Sequence, residues 1–244
     1  MNLPTHNRVI LLGVILLTWL VTSCVYQSSG SHQAKNRSSV ASDADRVAVP
    51  ARYPSQSRTA GTKPQAISQG ALARTAAHFI GASEIEVRGK RFSFDCSGLT
   101  RAIYYSHGVD LYAGVKAERG ANGVRLIHRY VRDRGRFRDG RMPRQGDLVF
   151  FDNTWDYNGD GRVNDRLTHI GVVEGIEENG TVVFVSRVSR GIERYRMNLS
   201  LPDIHRTKKG LVLNDFLRRK RGRDPQGTEY LTAQLFAGFG TLTD

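Results

Sequence analysis

One octapeptide stands out for the chemistry that its residue types allow. Residues 93–100 read SFDCSGLT and contain one of the two cysteines of the chain. The pattern predicts that Cys96 starts a helix, with Ser93 or Asp95 as its N-cap. A helix N-terminus offers partial positive charge and free N–H groups, which lower the pKa of a thiol and can bind an oxyanion. We therefore predict that Cys96 is a nucleophile, although a cysteine taken alone is more often a small buried residue.

A nucleophilic thiol needs a base, and histidine is the usual one. Of the seven histidines, His169 begins the strand-like run HIGVVEGI, where a strand would hold its side chain rigidly. The other six lie in N-terminal segments, in helical patterns or in a polar loop. We predict that His169 is the base; the alternative is a polar residue that bonds the backbone at a strand start. Cysteine on a helix followed by histidine on a strand is the chain order of papain-like chemistry.

Three segments resemble, in order, the motifs of the NlpC-type bacterial cell-wall cysteine peptidases: FDCSGLT, PRQGDLVFFD and THIGVVEGI. The resemblance covers residues 69–200, most of the expected domain. It implies a papain-like α+β fold and hydrolysis of amide bonds in peptidoglycan stem peptides, commonly between D-glutamate and a diamino acid. It also assigns Cys96 as the nucleophile and His169 as the base.

The chain departs from this family pattern in two places. The family usually has a His, Asn or Gln on the following strand to orient the imidazole, whereas VVFVSRVS offers Ser186 as the nearest match. Arg187 beside it has no acceptor and would orient the ring poorly. The family's upstream tyrosine is also missing from GASEIEVRGKRF. We predict Ser186 as the orienting residue, and Asp95 and Ser97 as substrate contacts, with Asp95 more suited to capping the helix than to acid catalysis.

Two alternatives to this peptidoglycan endopeptidase remain open from the sequence. One is a related thiol amidase that acts at the sugar–peptide junction or on another amide or ester. The other is a catalytically idle, basic lipoprotein that binds the cell wall.

The N-terminus predicts export and a lipid anchor. A charged start and an apolar stretch shorter than the roughly 20 residues of a membrane span predict a signal peptide over residues 1–23. The sequence LVTSC resembles the lipobox of bacterial lipoproteins, which makes Cys24 the lipidated residue. Val25 favours the outer membrane, facing the periplasm. An uncleaved anchor helix is the alternative, and residues 24–68 have the composition of a disordered tether.

The remaining segment, residues 69–244, predicts one α+β hydrolase domain with a basic C-terminal extension. Three helical patterns precede several β-rich runs, which indicates a largely antiparallel sheet. The last of these runs, GLVLNDF at 210–216, is a further candidate strand. The candidate strands lie at 146–152, 168–176, 181–188, 191–197 and 210–216.

The charge predicts an anionic partner. Lysine and arginine number 36 against 23 acids, which suits an acidic polymer or membrane surface. Export and the lack of nucleic-acid-binding motifs disfavour nucleic acid, so we expect peptidoglycan and anionic envelope polymers as partners.

One acidic loop resembles the first half of a calcium-binding loop. The candidate ligands are Asp156, Asn158, Asp160 and Asp165, and the acid expected at the twelfth position is replaced by Leu167. A polar turn without metal is the alternative. We expect that catalysis requires no cofactor and that any calcium is structural.

Overall fold

The computed structural model describes residues 68–116, 119–140 and 142–242. Three helices, α1–α3, span Gln69–His78, Cys96–Ser106 and Gly123–Arg134. A small hairpin of β1 and β2 spans Glu86–Val87 and Lys90–Arg91. The larger sheet contains β3–β8 at Arg136–Arg138, Leu148–Phe151, His169–Ile176, Val182–Val188, Gly191–Met197 and Phe236–Thr241.

The six strands of the main sheet follow the order β3-β8-β4-β5-β6-β7, and every neighbouring pair is antiparallel. Helices α1 and α2 pack against β5, the strand that begins with His169. This arrangement confirms the predicted α+β class, with helices ahead of a largely antiparallel sheet and Cys96 at a helix start.

The apolar side chains form two cores, one on each face of the sheet. On the helix side, fully buried residues such as Leu72, Ile103 and Ile127 pack against the sheet. The hydroxyl of Tyr104, on α2, donates a hydrogen bond of 2.7 Å to the carbonyl oxygen of Gly146, just before β4. Because Tyr104 is fully buried, this bond holds the cysteine helix in a fixed position on the sheet.

The opposite face of the sheet is covered by the chain that follows β7. Leu217 and Leu235 from this segment pack against Phe151 and Phe184 of the sheet. The segment then enters the sheet as β8, between β3 and β4. The C-terminal extension is therefore part of the folded domain and completes its second core.

The predicted strand at 210–216 is wrong. Its pairing is limited to two isolated bridges, Val212 with Arg206 and Phe216 with Leu231. The buried amide of Asn214 instead donates to the carbonyl oxygens of Leu201 and Ile204, at 2.8 and 2.9 Å. Side-chain bonds of this kind satisfy the backbone of a coiled segment without a neighbouring strand.

Several predictions concern residues outside the described ranges. The signal peptide, Cys24 and nearly all of the tether fall within residues 1–67. Among the described residues, no helix has the length and apolar character needed to cross a membrane.

Candidate active site

Helix α2 presents Cys96 at its first turn. Asp95 caps this helix, because its carboxylate accepts hydrogen bonds from the Gly98 N–H at 2.8 Å and from the Ser97 hydroxyl at 2.7 Å. A side chain at Gly98 would overlap the carbonyl oxygen of Ser93, so only glycine allows this close approach of the chain. Of the two predicted N-caps, Ser93 and Asp95, it is Asp95 that caps the helix.

His169 lies at the start of β5 and is almost fully buried. Its Nε2 lies 2.8 Å from the hydroxyl oxygen of Ser186 on the neighbouring strand β6. The same hydroxyl donates a 2.7 Å hydrogen bond to the carbonyl oxygen of Ile170. Since a serine hydroxyl has one hydrogen, it must accept from Nε2–H of the imidazole.

This arrangement selects one tautomer of neutral His169. With the proton on Nε2, the other ring nitrogen, Nδ1, carries the free lone pair of a base. No hydrogen bond to Nδ1 comes from the part of the chain that the structure describes. The serine at position 186 thus has the hydrogen-bonding capacity that an orienting residue needs, despite its short side chain.

The chain before His169 is fixed by hydrogen bonds. Leu167 has a positive φ of 54°, a strained conformation for a bulky residue. Its N–H donates to the carboxylate of Asp152 at 2.6 Å, and its carbonyl accepts from the Asn122 amide at 3.0 Å. The next residue, Thr168, donates its N–H to the carbonyl oxygen of Phe151. These bonds determine where β5 begins and therefore where the imidazole lies.

Cys96 and His169 line the same cavity, which has a volume of about 410 Å³. The wall also includes Asp95 and Ser97, the two predicted substrate contacts, and Thr168. The structure therefore brings Cys96 and His169 to one cavity, with Ser186 behind the imidazole. Their catalytic roles stay predictions.

Burial dominates the electrostatics of this pair. Removal of water raises the pKa of Cys96 to about 12, and the Asp95 carboxylate adds to the increase. The N–H groups of Ile170, Ser97 and Cys96 act in the opposite direction, but they offset only part of it. Burial also lowers the pKa of His169 to about 4, again opposed by Asp95. At neutral pH the resting pair is a thiol and a neutral imidazole.

Tyr112, which follows Cys96 in the sequence, lies beside the site. The sequence lacks the family's tyrosine upstream of Cys96, but the Tyr112 hydroxyl lies 3.4 Å from Ser97 Oγ. The guanidinium of Arg101 lies 4.2 Å from the centre of the Tyr112 ring. Nothing in the spacing of Tyr112 relative to the motifs indicates this contact, because it depends on how the chain turns after α2.

The acidic loop places its four predicted ligands in tight turns. Asp156 accepts from the N–H groups of Gly159 and Gly161, and Asp165 accepts from those of Tyr157 and Asn158. Asp160 pairs with neighbouring amide side chains in the same loop. No group of three or more His, Cys, Asp or Glu side chains among the described residues is arranged to hold a metal ion. Calcium binding by this loop stays a prediction.

Sequence reasoning missed the far wall of the cavity. Trp155 follows β4, and Leu217 and Arg219 belong to the segment after β7. The strand β6 adds Arg187, which we considered only as an orienting residue. The apolar pattern around position 217 signals a buried residue, but no motif connects it to a site more than a hundred residues earlier in the chain.

The NlpC/P60 family model matches residues 80–197 of the chain. The resemblance drawn from the three motifs is therefore confirmed. The family points to cysteine peptidase or hydrolase activity on the cell wall. No curated protein and no solved structure matches the chain significantly. The family region ends at the last residue of β7, so the segment that carries Leu217, Arg219 and β8 lies beyond it.

Proposed function

We propose that this domain is a peptidoglycan endopeptidase that hydrolyses the amide bond between D-glutamate and a diamino acid in stem peptides. Cys96 is the nucleophile, His169 is the base and Ser186 is the residue that positions the imidazole. The match to the NlpC/P60 family model supports the class of reaction. The choice of bond rests on the motif resemblance.

The observation that carries the proposal is the hydrogen-bonded chain from Ser186 to His169. Ser186 is fully buried and its single proton is committed to the Ile170 carbonyl. The imidazole therefore keeps its basic Nδ1 free, and it lines the same cavity as Cys96.

The first half of the reaction starts from a neutral pair. As Sγ of Cys96 bonds to the scissile carbonyl carbon, the thiol proton moves to Nδ1 of His169. The carbonyl oxygen becomes an oxyanion, which the free N–H groups at the start of α2 stabilise. The tetrahedral intermediate collapses, the carbon–nitrogen bond breaks, and the leaving amine takes the proton from His169. A thioester on Cys96 remains.

The second half regenerates the enzyme with water. Water gives a proton to Nδ1 of His169 and attacks the thioester carbonyl. The carbon–sulfur bond breaks, the carboxylic acid leaves, and the proton returns to the sulfur of Cys96. No metal or cofactor enters either step.

The test is digestion of purified peptidoglycan by the wild type and by Cys96→Ala. Mass spectrometry then identifies the new termini. The proposal expects a free diamino-acid amine and a free D-glutamyl carboxyl group, formed only with the thiol present. Cleavage at the lactyl linkage would assign the protein as an amidase instead. Equal products from both proteins, or none, would contradict a thiol enzyme.

We also propose that the domain is attached to the bacterial envelope through lipid on Cys24, in the outer membrane and facing the periplasm. The motif LVTSC and the composition of residues 24–68 support this location. Peptidoglycan is then the fixed, anionic substrate of a basic protein. Intact-mass analysis of the membrane fraction would show acyl groups on an N-terminal Cys24, and their loss in Cys24→Ala. An unmodified N-terminus in the membrane fraction would contradict the anchor.

A further inference from the structure

The cavity has an imbalance of charge that the proposed reaction does not use. One acid, Asp95, and two arginines, Arg187 and Arg219, line it. Asp95 already accepts two hydrogen bonds in its role as helix cap. No ion pair to either arginine comes from the part of the chain that the structure describes. The cavity therefore has an excess of positive charge beside Cys96.

Arg187 is held by stacking rather than by pairing. Its guanidinium carbon lies 4.7 Å from the centre of the Phe94 ring, two residues before Cys96. Its Nε is buried and has no hydrogen-bond partner within the described residues. A stacked guanidinium keeps its N–H groups in one plane, the geometry that binds a carboxylate with two parallel hydrogen bonds.

Arg219 is positioned by a rigid C-terminal segment. The preceding Arg218 is buried, pairs with Asp224 at 3.1 Å and donates a 2.6 Å hydrogen bond to the Asn153 carbonyl. Leu217 donates its N–H to the carbonyl oxygen of Tyr230 at 2.9 Å and packs in the core. These contacts fix the backbone next to Arg219, whose own side chain is exposed at the cavity.

We infer that Arg187 and Arg219 form an anion subsite that binds a free carboxylate of the substrate next to the scissile amide. The inference rests on the proposed function and specifies its substrate as an acidic peptide. A γ-linked glutamate is such a group, because its α-carboxylate stays free beside the bond that is cut. The segment beyond the family region thus contributes to specificity, because its Arg219 lines the same cavity as Arg187.

Binding to the inactive Cys96→Ala protein tests the subsite without turnover. Isothermal titration compares a γ-D-glutamyl–diamino acid peptide with the same peptide whose α-carboxylate is a carboxamide. We expect about 10- to 100-fold weaker binding of the carboxamide, the range for hydrogen bonds between charged groups. Adding Arg187→Gln or Arg219→Gln should weaken binding of the carboxylate peptide similarly and leave the carboxamide peptide unaffected.

Arg223→Gln is the matched control, since it removes the same charge from an exposed position of the same segment that does not line the cavity. If Arg223→Gln weakens binding as much as Arg219→Gln, the effect is one of net charge and the subsite is wrong. Equal binding of both peptides would also overturn it. The proposed function fails separately, when the wild type shows no thiol-dependent cleavage while the arginine-dependent discrimination persists.

Discussion

Replacement of Ser186 by alanine tests the positioning of the imidazole. Ser186 is fully buried and makes two short hydrogen bonds, one to Nε2 of His169 and one to the carbonyl oxygen of Ile170. Alanine leaves both groups buried and unpaired, at a cost of about 1–3 kcal/mol for each unsatisfied group. The ring also loses the acceptor that keeps its proton on Nε2.

The expected result is a loss of both stability and rate. A positioned general base contributes about 10²- to 10⁴-fold, and losing its orientation removes part of that factor. We therefore expect kcat/KM on a stem peptide to fall by about 10- to 100-fold, with most of the loss in kcat. Steady-state kinetics and thermal denaturation measure the two effects on the same preparation.

A matched variant separates catalysis from folding. Thr232 is also fully buried and donates a 2.6 Å hydrogen bond to the carbonyl oxygen of Arg196, but it does not line the cavity. Thr232→Val should lower the melting temperature similarly and keep wild-type kcat/KM. If Ser186→Ala loses only stability, as Thr232→Val does, the argument for a positioned imidazole is refuted.

Further predictions follow from burial and charge at the same site. Burial lowers the pKa of His169 to about 4 and raises that of Cys96 to about 12, so kcat/KM should stay level from about pH 5 to 8. A fall of kcat/KM with an apparent pKa near 6.5 would contradict the neutral pair. For the same reason iodoacetamide should label Cys96 slowly at pH 6, and labelling as fast as that of an activated thiolate would show an ion pair. The unfolded chain binds a proton at His169 near pH 6.5 and the folded chain only near 4, so urea titrations should show the free energy of unfolding fall by about 3 kcal/mol across that interval as the pH drops. Asp95→Asn keeps the helix cap but removes a charge that raises the pKa of Cys96, so alkylation at pH 8 should accelerate about two- to fivefold, and an unchanged rate would count against that charge effect. Gly98→Ala should cost about 2 kcal/mol or more by denaturant titration, because its methyl group would overlap the backbone of Ser93, and a neutral effect would mean that this turn can relax.

The sequence predicts this fold where local pattern determines structure. Val124, Ile127 and Val131 recur at helical spacing, and α3 buries all three. The apolar run that follows His169 forms β5 as expected, since a buried strand needs only a short run of β-branched residues. The 210–216 segment has a similar composition, but a buried asparagine anchors it by side-chain bonds that periodicity does not show.

The candidate site could likewise be predicted only where local sequence determines it. Asp95 as the cap and the proximity of Ser186 to His169 could be anticipated, because motif order and strand register place them. Tyr112 and Arg219 could not, since their approach depends on long connections between elements. The protonation state of Cys96 and His169 could not be predicted either, because it depends on how far the fold excludes water from the thiol.

The most direct test of the central claim is a search for the acyl-enzyme. The wild type is mixed with a stem peptide, quenched in acid within a fraction of a turnover, and examined by intact-protein and peptide mass spectrometry. The account predicts an acyl group on Cys96, joined as a thioester that hydroxylamine releases, and its absence in Cys96→Ala. Peptide cleavage at an unchanged rate in Cys96→Ala, or an acyl group on any other residue, would contradict it.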